Sequence, residues 1–164
     1  MLVMTWLAQT KTLWITFCLT VALTAAFGLV MYFGQFGIID EMYIAEDIRA
    51  HIDAMTPRQR MMHAWMTGTL DIAYPLAYGA FFMGMAMKYF ERFGRWLALP
   101  SFLVIPADLI EGFAQIMLLT GHESFMGLKL IATPAKLTLF LLGLCITIFA
   151  LFLAGRRFYR ERSQ

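Results

Sequence analysis

Charge is what this chain has least of. Only 15% of its 164 residues are Asp, Glu, Lys or Arg, where a soluble domain carries about 25%. The net charge of +2 gives no field strong enough to hold a phosphate backbone, so no nucleic-acid partner is expected. Cysteine is nearly absent. Cys18 and Cys145 lie inside apolar runs, without metal spacing or a C-x-x-C pattern, and read as small buried apolar residues. Histidine is confined to His51, His63 and His122, at or beyond the edges of the apolar stretches, which makes a bis-histidine haem hard to build. The chain holds no Ser-His-Asp set, phosphate-cradling glycine loop, dinucleotide fingerprint or haem-attachment motif, and no cofactor is expected. Internal repeats and low-complexity segments are missing as well.

Apolar residues fill the space that charge leaves. Hydrophobic residues make up 60% of the chain and aromatic residues 15%, with a mean hydropathy of +0.68. That excludes intrinsic disorder and is more apolar surface than a soluble domain of this size can cover. A bilayer-crossing helix needs about 20 mostly apolar residues. Residues 12–33, 61–87, 96–120 and 134–154 each meet this requirement. The first run is longer than a signal-peptide core and lacks a small-x-small cleavage site, so it reads as an anchor. The expected fold is an all-α integral membrane protein, a single four-transmembrane-helix bundle spanning residues 1–164.

Basic residues orient the bundle. Lys11, the group Lys88, Arg92 and Arg95, and the cluster Arg156, Arg157, Arg160 and Arg162 fall on one side. Arg49, Arg58, Arg60 and Lys129 fall on the other, together with Asp40, Glu41, Glu46, Asp47, Asp53 and Glu123. The positive-inside rule then places the N and C termini in the cytoplasm, in a multi-pass protein of a bacterial inner (plasma) membrane. Trp6, Trp14, Trp65 and Trp96, with Tyr32, Tyr89 and Tyr159, form an aromatic belt. The C-terminal arginines face anionic lipid.

Between the first two spans, Ile44, Ile48, Ile52 and Met55 recur at helical spacing with charges between them. This predicts an amphipathic surface helix over residues 41–55, with Asp40 as its cap. Thr56-Pro57 and Thr133-Pro134 each read as an N-cap followed by a first helical residue, starting the second and fourth spans. Thr12, Thr16, Thr20, Thr24 and Gly28, four apart, make a small-residue packing seam on the first span. Ala64 and Gly68, then Ala80 and Gly84, make similar pairs on the second.

Three carboxylates interrupt the apolar spans: Asp71, Asp108 and Glu111. A charge at the bilayer centre costs at least about 2.5–3.5 kcal/mol on insertion scales, so such residues face the bundle interior. At 1.5 Å per residue, Asp71 lies about 16 Å past Arg60, and Glu111 lies about 16 Å before His122 on the antiparallel neighbour. The two polar faces meet at one level if the second and third spans pack together. Asp108, Glu111 and Gln115 share one face, and Thr67, Asp71, Tyr74 and Tyr78 share the other. Three acids in hydrocarbon cannot all be ionised unaided, and the tyrosines supply hydrogen bonds. Lys136 reaches either inward toward Glu111 or outward to lipid phosphate. Pro75 and Pro106 interrupt their helices close to the cluster, as backbone beside a cavity often does. The competing explanation is a structural acid–tyrosine network that fixes helix register.

The candidate acid/base residues are therefore Asp71, Glu111 and Asp108, and the candidate ligand-binding residues are Tyr74, Tyr78, Thr67, Gln115 and Lys136. No metal site is expected. Met61, Met62, His63 and Met66 offer soft donors of the kind that suit Cu(I), but methionines are frequent enough here to cluster by chance. The function expected first is a buried carboxylate/tyrosine pocket that binds, or acts on, a lipid-like or isoprenoid molecule. Whether turnover occurs stays open. The alternatives are a non-enzymatic accessory or assembly subunit of a larger membrane complex, and proton-coupled transport as an oligomer. Membrane lipid, other membrane subunits or a second copy of the chain are the expected partners.

Overall fold

The computed structural model describes residues 6–162, and these are all-helical with no strand among them. The helices are α1 (Thr10–Gly34), α2 (Ala45–Ala54), α3 (Pro57–Tyr89), α4 (Leu99–Leu119) and α5 (Met126–Arg162). Short turns at Glu91–Phe93, Gly94–Leu97 and Glu123–Phe125 link the last three. Four helices, α1, α3, α4 and α5, are long and apolar enough to cross a membrane.

α3 is the centre of the bundle and packs against α1, α4 and α5. Its buried residues His63, Met66, Thr67, Asp71, Pro75, Tyr78 and Phe82 recur three or four apart, so one face of the helix is the core. The buried face of α4 runs through Ser101, Val104, Asp108, Glu111, Gln115 and Leu118 in the same way. Glycine lets the backbones approach closely. A Cβ at Gly84 would lie 2.5 Å from the Leu7 carbonyl oxygen, and one at Gly143 would lie 2.7 Å from Ser101 Oγ. Gly84 belongs to the small-residue pairs expected on this helix. Gly28 of the threonine seam has open space where a Cβ would stand, so the close approach of α1 to α3 is made nearer its N-terminal end. Thr16, Thr20 and Thr24 donate back to the carbonyls one turn earlier.

The outward faces of α1 and α5 remain strongly apolar. Trp14, Tyr32, Phe33, Phe149 and Phe152 are all well exposed. An apolar surface of this extent marks a face covered by lipid or by another protein. Cys18 and Cys145 lie on these exposed faces rather than in the interior, which corrects the expectation that they are buried.

Thr56 starts α3 as expected. Its Oγ1 accepts from Gln59 N at 3.3 Å, while its own N–H donates to Gln59 Oε1 at 2.9 Å, a complete capping box with Pro57 as first residue. Thr133-Pro134 does not repeat the device. α5 begins at Met126 and runs through both residues, because Thr133 donates its hydroxyl hydrogen to Glu111 across the bundle instead of capping. α2 is shorter than residues 41–55. Ile44 is its N-cap, without a side-chain bond, and Asp40 is turned toward Lys136. An ammonium inside a cavity is a stronger draw on a carboxylate than the N–H groups of a solvated helix end. Ile48 and Ile52 on the inner face of α2 are buried with Phe36, Met66, Leu118 and Met126, so the helix sits as a lid on one end of the bundle.

Candidate binding site

The three span-borne acids meet between α3 and α4, and each has a different environment. Glu111 is fully buried. Its Oε1 accepts from Lys129 Nζ at 2.9 Å and from Thr133 Oγ1, and its Oε2 is closely paired with Lys136. Lys129 is also fully buried and donates to Thr133 Oγ1 at 2.7 Å. Asp108 accepts from Tyr78 OH at 2.6 Å and lies 3.4 Å from Lys136 Nζ. Asp71 is 8% exposed, and among the described residues no side chain donates a hydrogen bond to it. Pro75, one turn on, has no N–H to give the Asp71 carbonyl. A Cβ on Gly112 would lie 3.5 Å from Asp71 Oδ2, so the glycine brings the α4 backbone against this carboxylate.

Lys136 is the hub. Besides Asp108 and Glu111 it donates to Asp40 Oδ2 at 3.4 Å. Of its two expected orientations, the inward one is adopted. With its three partners arrayed around it, its charge is better satisfied there than at a lipid phosphate.

Above these groups is a cavity of about 420 Å³, within the range of small-molecule sites. α3 is its floor, contributing Asp71, Tyr74 and Tyr78. α1 forms one wall through Thr24, Phe27 and Met31, and α5 the other through Lys136, Leu137 and Phe140. The segment that holds Asp40, Glu41 and Tyr43 covers one end. The aromatic lining is continuous. Phe27 meets Tyr74 at 5.4 Å between ring centroids, Tyr74 meets Tyr78 at 5.1 Å, and Tyr78 meets Phe140 at 5.1 Å, all edge to face. Thr24 Oγ1 and Tyr74 OH lie 3.3 Å apart.

Asp71, Asp108, Tyr74, Tyr78 and Lys136, all candidates from the sequence, line this one space, and Glu111 lies directly behind Lys136. Thr67 and Gln115 are buried away from it. Thr67 faces Gly112, and both polar atoms of the Gln115 amide are without a hydrogen-bond partner among the described residues. Asp40, Lys129 and Thr133 were missed. Lys129, Thr133 and Lys136 do stand at i, i+4 and i+7, a single helix face, and that spacing was the signal that could have found them. The soft donors do not converge. His63 is fully buried and stacked on Phe36 at 5.1 Å, whereas Met61 is 63% exposed. No cluster of His, Cys, Asp and Glu able to hold a metal ion occurs among the described residues.

Comparison with family models, curated proteins and solved structures finds no match to the chain. The functional reading therefore rests on the site itself.

Proposed function

We propose that the chain is a multi-pass membrane protein that binds a lipid-like molecule in the cavity over Asp71, with the carboxylate/tyrosine/lysine network fixing its polar end. The observation that carries this reading is the shape of the space. α1 rests on α3, α5 rests on α3 and α4, and α1 and α5 scarcely touch each other while both line the cavity, which supports a gap between them that would open toward a bilayer. A guest entering there arrives from the membrane, tail included. Apolar walls then hold the tail, and the few polar groups on the floor orient the head. Acid/base turnover of an isoprenoid or other lipid belongs to the same proposal. Asp71 is the group free to exchange a proton with a guest, because Glu111 and Asp108 already hold Lys129, Lys136 and Tyr78. Cytoplasmic termini, which the basic-residue bias supports, and a bacterial inner-membrane location are part of the proposal.

The test is extraction of the purified protein followed by mass spectrometry of the lipids it retains. Wild type is expected to carry a bound amphiphile above the level of the surrounding detergent-exchanged lipid. Thr24→Trp, which fills the cavity from α1, is expected to lose it. Equal retention by both proteins rejects the pocket. If that result came with copurification in a larger assembly, the accessory-subunit reading would replace it, and the exposed faces of α1 and α5 would be the docking surfaces.

A further inference from the structure

The charges around the cavity do not balance. Asp40, Asp71, Asp108 and Glu111 stand against Lys129 and Lys136, and both lysines are committed: Lys129 to Glu111, Lys136 to Asp40, Asp108 and Glu111. Glu41 adds a further acid at the mouth. With all four acids ionised the site carries more negative than positive charge, so an empty site is neutralised by bound protons, and a cationic guest can take a proton's place. The deficit is localised. Asp71 is more than nine-tenths buried, lines the cavity, takes part in neither lysine's ion pairs, and has no hydrogen-bond donor among the described residues. A buried carboxylate without a partner is costly, and a guest able to pair with it recovers that cost. The neighbouring surface selects the sign as well. Phe27, Tyr74, Tyr78 and Phe140 line the cavity, and an aromatic ring whose face meets a guest attracts a cation and not an anion.

Resting on the lipid-binding reading above, we propose that the preferred guest is a cationic amphiphile, a molecule with one positively charged nitrogen on an apolar body. The nitrogen sits at Asp71 against the tyrosine rings, and the apolar body lies in the gap between α1 and α5. Anionic lipids are disfavoured, because Lys136 is already surrounded by carboxylates. Neutral alcohols of equal length bind more weakly, because they leave Asp71 without a counter-charge.

The experiment compares three radiolabelled probes that share a dodecyl chain: dodecyltrimethylammonium, dodecanol and dodecyl phosphate. Each is bound to the full chain in phosphatidylcholine nanodiscs, with empty nanodiscs as background. The ammonium is expected to bind at least about tenfold more tightly than the alcohol, the scale of one charged interaction. Asp71→Asn is expected to abolish that preference and Asp71→Glu to keep it. Should Asp71→Asn not yield a monodisperse protein, Tyr74→Leu reads the same point without altering a charge, and the preference is expected to fall. Equal binding of ammonium and alcohol, both blocked by Thr24→Trp, overturns the charge preference and leaves the cavity reading standing. Tightest binding of the phosphate overturns the charge preference also. Binding of no probe, or binding indifferent to Thr24→Trp, overturns both.

Discussion

Glu111 and Lys129 are each fully buried, and removing Glu111 strands Lys129, whereas Glu111 keeps Lys136 when Lys129 is removed. Breaking such a pair typically costs about 3–5 kcal/mol, whereas replacing both members with apolar residues of similar size is often close to neutral. Glu111→Gln is therefore expected to lower the thermal midpoint markedly, and Lys129→Met to lower it less, because Glu111 retains Lys136. The double replacement Glu111→Leu/Lys129→Met is expected to recover much of the loss, measured by fluorescence-detected size exclusion after heating. Asp71→Asn is expected to leave the midpoint within a few degrees, because among the described residues no side chain donates a hydrogen bond to Asp71. The span-borne acids were legible in the sequence because a carboxylate in an apolar run must turn inward. Asp40 and Lys129 were not. Each lies outside the apolar runs, in segments that read as solvated loop, and only the folded chain brings Asp40 to a lysine far away in sequence.

At the scale of elements, α2 is attached chiefly by Ile48 and Ile52, since its ion pairs, Arg49 with Glu123 at 3.3 Å and Asp53 with Arg60 at 3.4 Å, are exposed and weak. Ile48→Ala is expected to cost about 2–4 kcal/mol locally. In hydrogen exchange this would appear as faster exchange over residues 36–55 while the core of α3 stays protected. Gly84→Ala drives a methyl group into the Leu7 carbonyl and is expected to loosen the N-terminal end of α1 by about 1–3 kcal/mol. The helices themselves were readable from apolar run length, and α2 from its period. The start of α5 was not, because Thr-Pro is a start signal only where the threonine lacks a better acceptor. Thr56 finds its partner in Gln59 within its own turn; Thr133 finds Glu111 on another helix.

For the molecule as a whole, the exposed apolar girdle on α1 and α5 makes a direct prediction. Cys18 and Cys145 are exposed in the isolated chain, so a membrane-impermeant maleimide is expected to label both in dodecyl sulfate and neither in intact membrane vesicles. Labelling of both in vesicles would place those faces in water and sink the spanning arrangement. The architecture also divides the labour around the cavity. The charged network is built from α3, α4, α5 and Asp40, while α1 adds only a wall and rests almost entirely on α3. Tilting α1 outward would widen the space without parting Glu111 from Lys129. The girth of the guest is thus set by the first helix, its electrical preference by the other three, and a change to one need not retune the other.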